Sequence, residues 1–386
     1  MRWMLILMLV GCAADDDECG DTGDAKTFDV HTRLVGQFLD PPDANASSVQ
    51  VQDGGPACPW RTIENAGVGH YTVAAHHDRF AVAVTCGTDV TVLARSTLDF
   101  EPLEVACFAN GPASDGFEIK AHSDGAVGNS KYVLQVFVAD QPSEKHGFFQ
   151  VSNFFSWRAR GGRYDLVALG HAGDEDLDAP DRLHVVRKIA AADTPDLDVT
   201  PADTADWLAL GPPVTVELKE GFEALLGYRT SGGTSVGLGG ADAFSAPVTA
   251  ALPTWPAAAA APGDVYLQAL FYDDPSFIYS LEARRESPTP TAFDLQLPFP
   301  FQILRDTETS FLFVRNSPAD GYVLSCNNGD HVFVNDFTTH WLGDELRYEL
   351  PQLDGVDYTE CRFWDGSVRG HRSATETFRA TTHVPN

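Results

Sequence analysis

The sequence predicts an all-β chain of tandem β-sandwich domains, and three observations carry that expectation. From Thr27 onward, short runs rich in Val, Phe, Tyr, Thr and Leu alternate with polar residues, as in Phe80-Ala81-Val82-Ala83-Val84, Tyr132 to Val138, Val265 to Phe271 and Val332-Phe333-Val334. That is the period-two pattern of half-buried strands. Gly, Pro, Asn and Asp break these runs at short intervals, and many short strands with frequent turns favour sandwiches over one large barrel. No amphipathic pattern of three helical turns is found. The alanine run Ala257 to Ala261 is bracketed by Pro256 and Pro262, so it reads as a loop.

The chain opens with Arg2, a short apolar run from Trp3 to Val10, and Gly11, the layout of a secretory signal peptide. A membrane span needs roughly 20 apolar residues, so this run is too short to be one, and acids rather than a basic flank follow it. Leu9-Val10-Gly11-Cys12 resembles the lipobox of bacterial lipoproteins. That resemblance implies cleavage before Cys12, acylation of its thiol and new amino group, and attachment to the membrane through the lipid. Ala13 after the lipidated position implies, by the same resemblance, the outer membrane. The alternative is an ordinary signal peptide with a chance cysteine. Residues 12–26 then form a tether: Asp15, Asp16, Asp17, Glu18, Asp21 and Asp24 crowd a stretch without aromatic or β-branched apolar residues from Ala13 to Lys26, so it stays solvated and extended.

The formal charge is −29, and loss of Met1 to Gly11 removes Arg2 and no acid, leaving −30. Such a surface repels nucleic acid and bare anionic lipid but not divalent cations. An exported chain sits where disulfides persist, and setting Cys12 aside leaves six of the seven cysteines. Six allow about 15 connectivities. Cys326 and Cys361 are alone in the C-terminal part and are expected to pair; Cys86 and Cys107 each close a strand-like run and suit neighbouring strand ends; Cys19 is left for Cys58. A metal site is the competing reading, without a C-x-x-C spacing to support it.

A weak internal repeat shapes the first half. HHDRFAVAVTC carries Asp78-Arg79-Phe80 into alternating apolar residues, and RGGRYDLVALG does the same with Gly162-Arg163-Tyr164. These strings, with Leu34-Val35-Gly36-Gln37-Phe38 as a first strand, resemble carboxypeptidase-regulatory-like domains, which are transthyretin-like β-sandwiches with an Ig-like architecture. The resemblance covers about Phe28 to Cys107 and Phe117 to Val199, and implies a structural or ligand-presenting role without catalytic residues. As a whole the chain resembles the multi-domain secreted lipoproteins of some Gram-negative bacteria. Composition sets the expected boundaries. Residues 1–11 are the signal peptide and 12–26 the tether. Sandwiches follow at 27–110 and 117–206, then a β-rich unit at 211–298 and a C-terminal one at 299–386, entered through Pro298-Phe299-Pro300-Phe301.

Candidate chemistry is sparse. Gly233-Thr234-Ser235-Val236-Gly237 matches the G-x-S-x-G nucleophile elbow, but Gly239 and Gly240 oppose the helix that the elbow requires. A glycine-rich turn is the plainer reading. His76-His77 would point to opposite faces of a strand and share an ion only in a loop, so solvated turn residues are expected. Asp174, Asp176 and Asp178 alternate as calcium prefers, yet Ala179, Pro180 and Val185 stand at the sixth, seventh and twelfth positions of an EF-hand loop counted from Asp174. A solvated acidic loop is expected, with calcium as the alternative. Asn327-Asn328-Gly329-Asp330 reads as a hairpin turn. Phe148, Phe149, Phe154, Phe155 and Trp157, and again Phe299 and Phe301, fill a core or stack on sugars. The expectation is a lipid-anchored envelope protein acting as a non-catalytic interaction or scaffolding module, without a resident cofactor and with an envelope protein or glycan as partner. A carbohydrate-binding adhesive protein and a surface hydrolase using Ser235 are the alternatives.

Overall fold

The structure is a computed structural model. It describes residues 19, 24–35, 43–99, 103–108, 117–124, 132–138, 141–142, 152–159, 163–172, 180–190, 197–198, 207–276, 278–314, 319–327, 332–342, 346–353, 356, 358 and 362–384. The all-β expectation holds among these residues. The first unit contributes β1 (Lys26–Val35), β2 (Ser48–Asp53), β3 (Trp60–Thr62), β4 (His70–Ala75), β5 (Arg79–Cys86), β6 (Asp89–Ser96) and β7 (Leu103–Phe108). The second holds β8 (Phe117–Asp124), β9 (Tyr132–Val138), β10 (Gln141–Pro142), β11 (Ser152–Ala159), β12 (Arg163–Ala172), β13 (Arg182–Ala190), β14 (Leu197–Asp198) and β15 (Leu208–Ala209). Next come β16 (Gly211–Leu218), β17 (Phe222–Arg229), β18 (Ser235–Asp242), β19 (Val248–Thr254), β20 (Val265–Asp273) and β21 (Tyr279–Ser287). The last unit has β22 (Gln302–Arg305), β23 (Ser310–Val314), β24 (Gly321–Asn327), β25 (Val332–Thr338), the one-turn helix α1 (Thr339–Leu342), β26 (Arg347–Glu349), β27 (Arg362–Ser373) and β28 (Glu376–His383). The alanine run forms a 3₁₀ turn at Ala257–Ala259 between its two prolines.

The expected units share their hydrogen bonding. One sheet of twelve described strands runs β18-β17-β20-β21-β28-β27-β24-β25-β6-β5-β2-β3. It passes from the third unit into the fourth where β21 pairs with β28. It passes from the fourth into the first where β25 lies parallel to β6, with Phe333 opposite Val90. Smaller sheets cover its faces: β4-β1-β7 at the N-terminal end, β22-β23-β26 in the C-terminal part, and β16-β19 in the third unit.

The period of two explains how one strand serves two cores. Phe80, Val82 and Val84 of β5 pack with Val30, Tyr71, Val73 and Val105 in the N-terminal sandwich. Ala81 and Ala83, between them, face the opposite side and join the C-terminal core with Phe313, Tyr322 and Phe337. Alternate residues of a strand point to opposite faces, so a continuous apolar run marks a strand covered on both sides, as parallel-paired strands commonly are. A third core joins Val167, Leu169 and Leu183 of the second unit to Tyr228, Leu238, Leu252 and Trp255 of the third.

Two disulfides close the N-terminal unit. Cys19 is joined to Cys58, with Cα atoms 5.4 Å apart, and Cys86 at the end of β5 to Cys107 in β7, with Cα atoms 5.2 Å apart. Cys326 is disulfide-bonded as well, while Cys361, its expected partner, lies outside the described residues.

Candidate functional site

The most tightly built charged cluster sits where the second unit meets the third. Tyr164 pairs with Ile189 and Leu166 with Val186 across β12 and β13, so Asp165 faces both Arg187 and Lys188 in a β-bulge. Lys188 adopts a φ of 58° there, and bulges of this kind re-aim side chains. Here the bulge sends Arg187 toward the start of β20. Its guanidinium donates to Asp165 Oδ2 at 2.9 Å and to both oxygens of Asp264, at 3.2 and 2.7 Å, and to the carbonyl of Ala259 at 2.8 Å. Asp264 also accepts from the Tyr228 hydroxyl at 3.0 Å and the backbone N–H groups of Ser231 and Ala261 at 2.7 and 2.9 Å. Asp165 takes the Lys188 N–H at 2.9 Å.

Both carboxylates are buried. Burial by itself pushes them up, but for Asp264 the bonds from Arg187, Ser231 and Ala261 outweigh it and hold the group below the usual carboxylate range. For Asp165 the bonds from Lys188, Arg187 and Thr230 do the same. Burial, and then the Asp264 charge, push the Tyr228 hydroxyl well up. The acceptors are occupied and the ionised forms locked, so this cluster rivets strands together and holds no poised acid or base.

The glycine-rich signature rests on this rivet. The turn between β17 and β18 is closed by the Thr230 N–H on the Thr234 carbonyl and the Gly233 N–H on the Thr230 carbonyl, each at 2.9 Å, with Gly233 at a φ of 85°. Gly232 lies directly on Asp165: a Cβ there would stand 2.5 Å from Asp165 Cγ. The Thr234 hydroxyl donates to the Asp165 carbonyl at 2.5 Å. Ser235 opens β18 opposite Arg229, so the motif is strand, turn, strand, where a nucleophile elbow needs a helix after the serine.

Ser235 and His371 both line an open groove of about 1030 Å³ across the outer face of β17, β18, β20 and β21, floored by Leu225, Gly227, Leu267 and Ala269 and edged by Arg229, Arg284 and Glu286. His371 Nδ1 lies 2.9 Å from Asp320 Oδ2, which has the look of an oriented base. β18 and β27 are nevertheless separated by β17, β20, β21 and β28. Five strand spacings separate them, about 24 Å measured along the sheet. The groove therefore does not bring serine and histidine together as nucleophile and base.

His76 and His77 depart from the solvated turn that the sequence suggests. Both are held in the β4–β5 turn by one carboxylate: Asp53 takes Nδ1 of His76 at 2.8 Å and Nδ1 of His77 at 3.2 Å, and their backbone N–H groups as well. A loop rather than a strand lets neighbouring residues share one partner, and nothing in the sequence marks Asp53 as that partner. Phe299 is 66% exposed while Phe301 is 3% exposed, so this aromatic pair makes no row of open rings. Phe154, Phe155 and Trp157 fall on β11. Cys12, Asp174, Asp176, Asp178, Phe148 and Phe149 lie outside the described residues. So does most of Asn327-Asn328-Gly329-Asp330, the connection from β24 to its antiparallel neighbour β25. Among the described residues, no group of three or more His, Cys, Asp or Glu is placed to hold a metal ion.

No protein-family model matches this chain, and no curated protein matches it. Fold and site define it as an all-β protein of packed sheets, stiffened by disulfides.

Proposed function

We propose that the chain is a lipid-anchored protein of the cell envelope, carried on the outer membrane, whose β body is a non-catalytic interaction or scaffolding module. Leu9 to Cys12, with the acidic stretch after it, supports the anchor. One observation carries the non-catalytic reading: the groove's serine and histidine stand at opposite sides of a sheet face, and Arg187, Asp165 and Asp264 saturate one another. The acidic surface keeps nucleic acid away, and the body needs no cofactor for this role. Membrane fractionation tests the anchor. The Cys12→Ser protein leaves the membrane fraction and carries no acyl group; a variant that stays membrane-bound contradicts the proposal.

A further inference from the structure

The Cys19–Cys58 disulfide decides where the body is held. Without it, the tether would run from Cys12 to the start of β1 at Lys26, fourteen residues away. With it, the tether ends at Cys19, seven residues from Cys12, and seven residues reach at most about 25 Å. Cys58 is a firm end-point. Its N–H donates to the Gly55 carbonyl at 3.0 Å, and the buried Gln52 side chain donates to the carbonyls of Pro56 and Cys58 at 3.1 and 2.7 Å. The loop from β2 to β3 is thereby fixed to the sheet. It lies at one end of the N-terminal sandwich. There the Gly54 N–H donates to the Arg79 carbonyl at the start of β5, at 2.8 Å, and Asp53 holds His76 and His77 just beyond β4. Lys26 pairs with Ala75 at the same end. From Gly54 to Trp60 the loop carries no charged residue. Around it Lys26, Arg61 and Arg79 stand against Asp24, Asp53 and Asp78, an even balance in a chain of net charge −29.

We infer that this end of the N-terminal sandwich, with the β2–β3 loop foremost, is the face that the protein turns to the bilayer holding its lipid. The partner is the headgroup layer itself. A short tether tied to a fixed loop keeps that loop within reach of the headgroups, and its even charge spares it the repulsion that the acidic remainder of the surface meets from lipid phosphates. The opposite end of the unit, at the β5–β6 turn, then points away from the membrane. This deepens the proposed anchoring by assigning the membrane-facing surface, and it rests on acylation of Cys12.

Full-length protein carrying Ala57→p-azidophenylalanine or Thr88→p-azidophenylalanine, both exposed positions, is purified from membranes and clicked to a donor dye. It is then inserted into phosphatidylethanolamine–phosphatidylglycerol vesicles that contain a rhodamine-headgroup lipid. The two positions flank opposite ends of β5, whose eight residues span about 26 Å, so energy transfer from the Ala57 site is expected to exceed that from the Thr88 site about twofold or more. Cys19→Ser with Cys58→Ser lengthens the tether and shrinks that difference while circular dichroism stays unchanged. Equal transfer from both sites, stronger transfer from the Thr88 site, or a folded cysteine variant that keeps the full difference overturns the inference. The first comparison decides alone if the cysteine variant does not fold. Failure of the anchor is distinct: the protein then does not float with the vesicles, and both readings fall.

Discussion

Asp264 shows how much one side chain can hold. It is nearly excluded from solvent, yet five donated hydrogen bonds reach it, from the Arg187 fork, Tyr228, Ser231 and Ala261. Arg187 keeps Asp165 as counter-charge when Asp264 is neutralised, so the loss is that of strained and unsatisfied buried hydrogen bonds, about 1–3 kcal/mol. Asp264→Asn is therefore expected to destabilise the protein on that scale in urea unfolding at pH 7. The pH dependence has a definite sign. Asp165 and Asp264 are held below their ordinary range, so their contribution is complete above about pH 5 and is lost as pH falls through the depressed folded-state values. The stability gap between the native protein and Asp264→Asn should narrow from pH 5 toward pH 3; a gap that widens on acidification contradicts the rivet.

At the scale of elements, β5 divides its residues between two cores, and the two faces answer differently to substitution. Phe80 is a large side chain in the N-terminal sandwich, 1% exposed, and Phe80→Ala is expected to cost about 3–5 kcal/mol through lost burial and a cavity. Ala83 faces the aromatic C-terminal core, where Phe337 stacks on Tyr348 at 3.9 Å. A leucine there adds apolar surface to a site already filled, so Ala83→Leu should destabilise by about 1–3 kcal/mol. Chemical denaturation measures both. A stabilising Ala83→Leu would mean that the second face is open. The β5 run is readable as a strand from its apolar residues alone, but its two-sided burial is not: Ala81 and Ala83 have a core to join only once the C-terminal strands are placed against them. The rivet escaped sequence reading for a similar reason. Asp165, Arg187 and Asp264 are ordinary isolated residues, and only the bulge opposite Asp165 and the chain's return after β19 bring them together.

The whole molecule is tied across its length by the parallel contact of β6 with β25. Period-two patterning and turn residues made the fold class legible, because both are local signals. Pairing between strands more than two hundred residues apart has no local signature, so composition suggested units in sequence where the sheet runs through three of them. The same contact predicts that residues 299–386 expressed alone will not reach the native fold, since Ala81, Ala83, Val90, Val92 and Ala94 complete their core. Dispersed NMR spectra and a cooperative melt from that fragment would contradict the shared core. The central claim, an exported β body held to a membrane by lipid on Cys12, is tested most directly by intact-mass analysis of protein purified from membranes, with and without reductant. The account predicts a chain starting at Cys12 that carries acyl mass and gains about two mass units per disulfide on reduction. An unacylated chain retaining Met1 with its thiols reduced would contradict it.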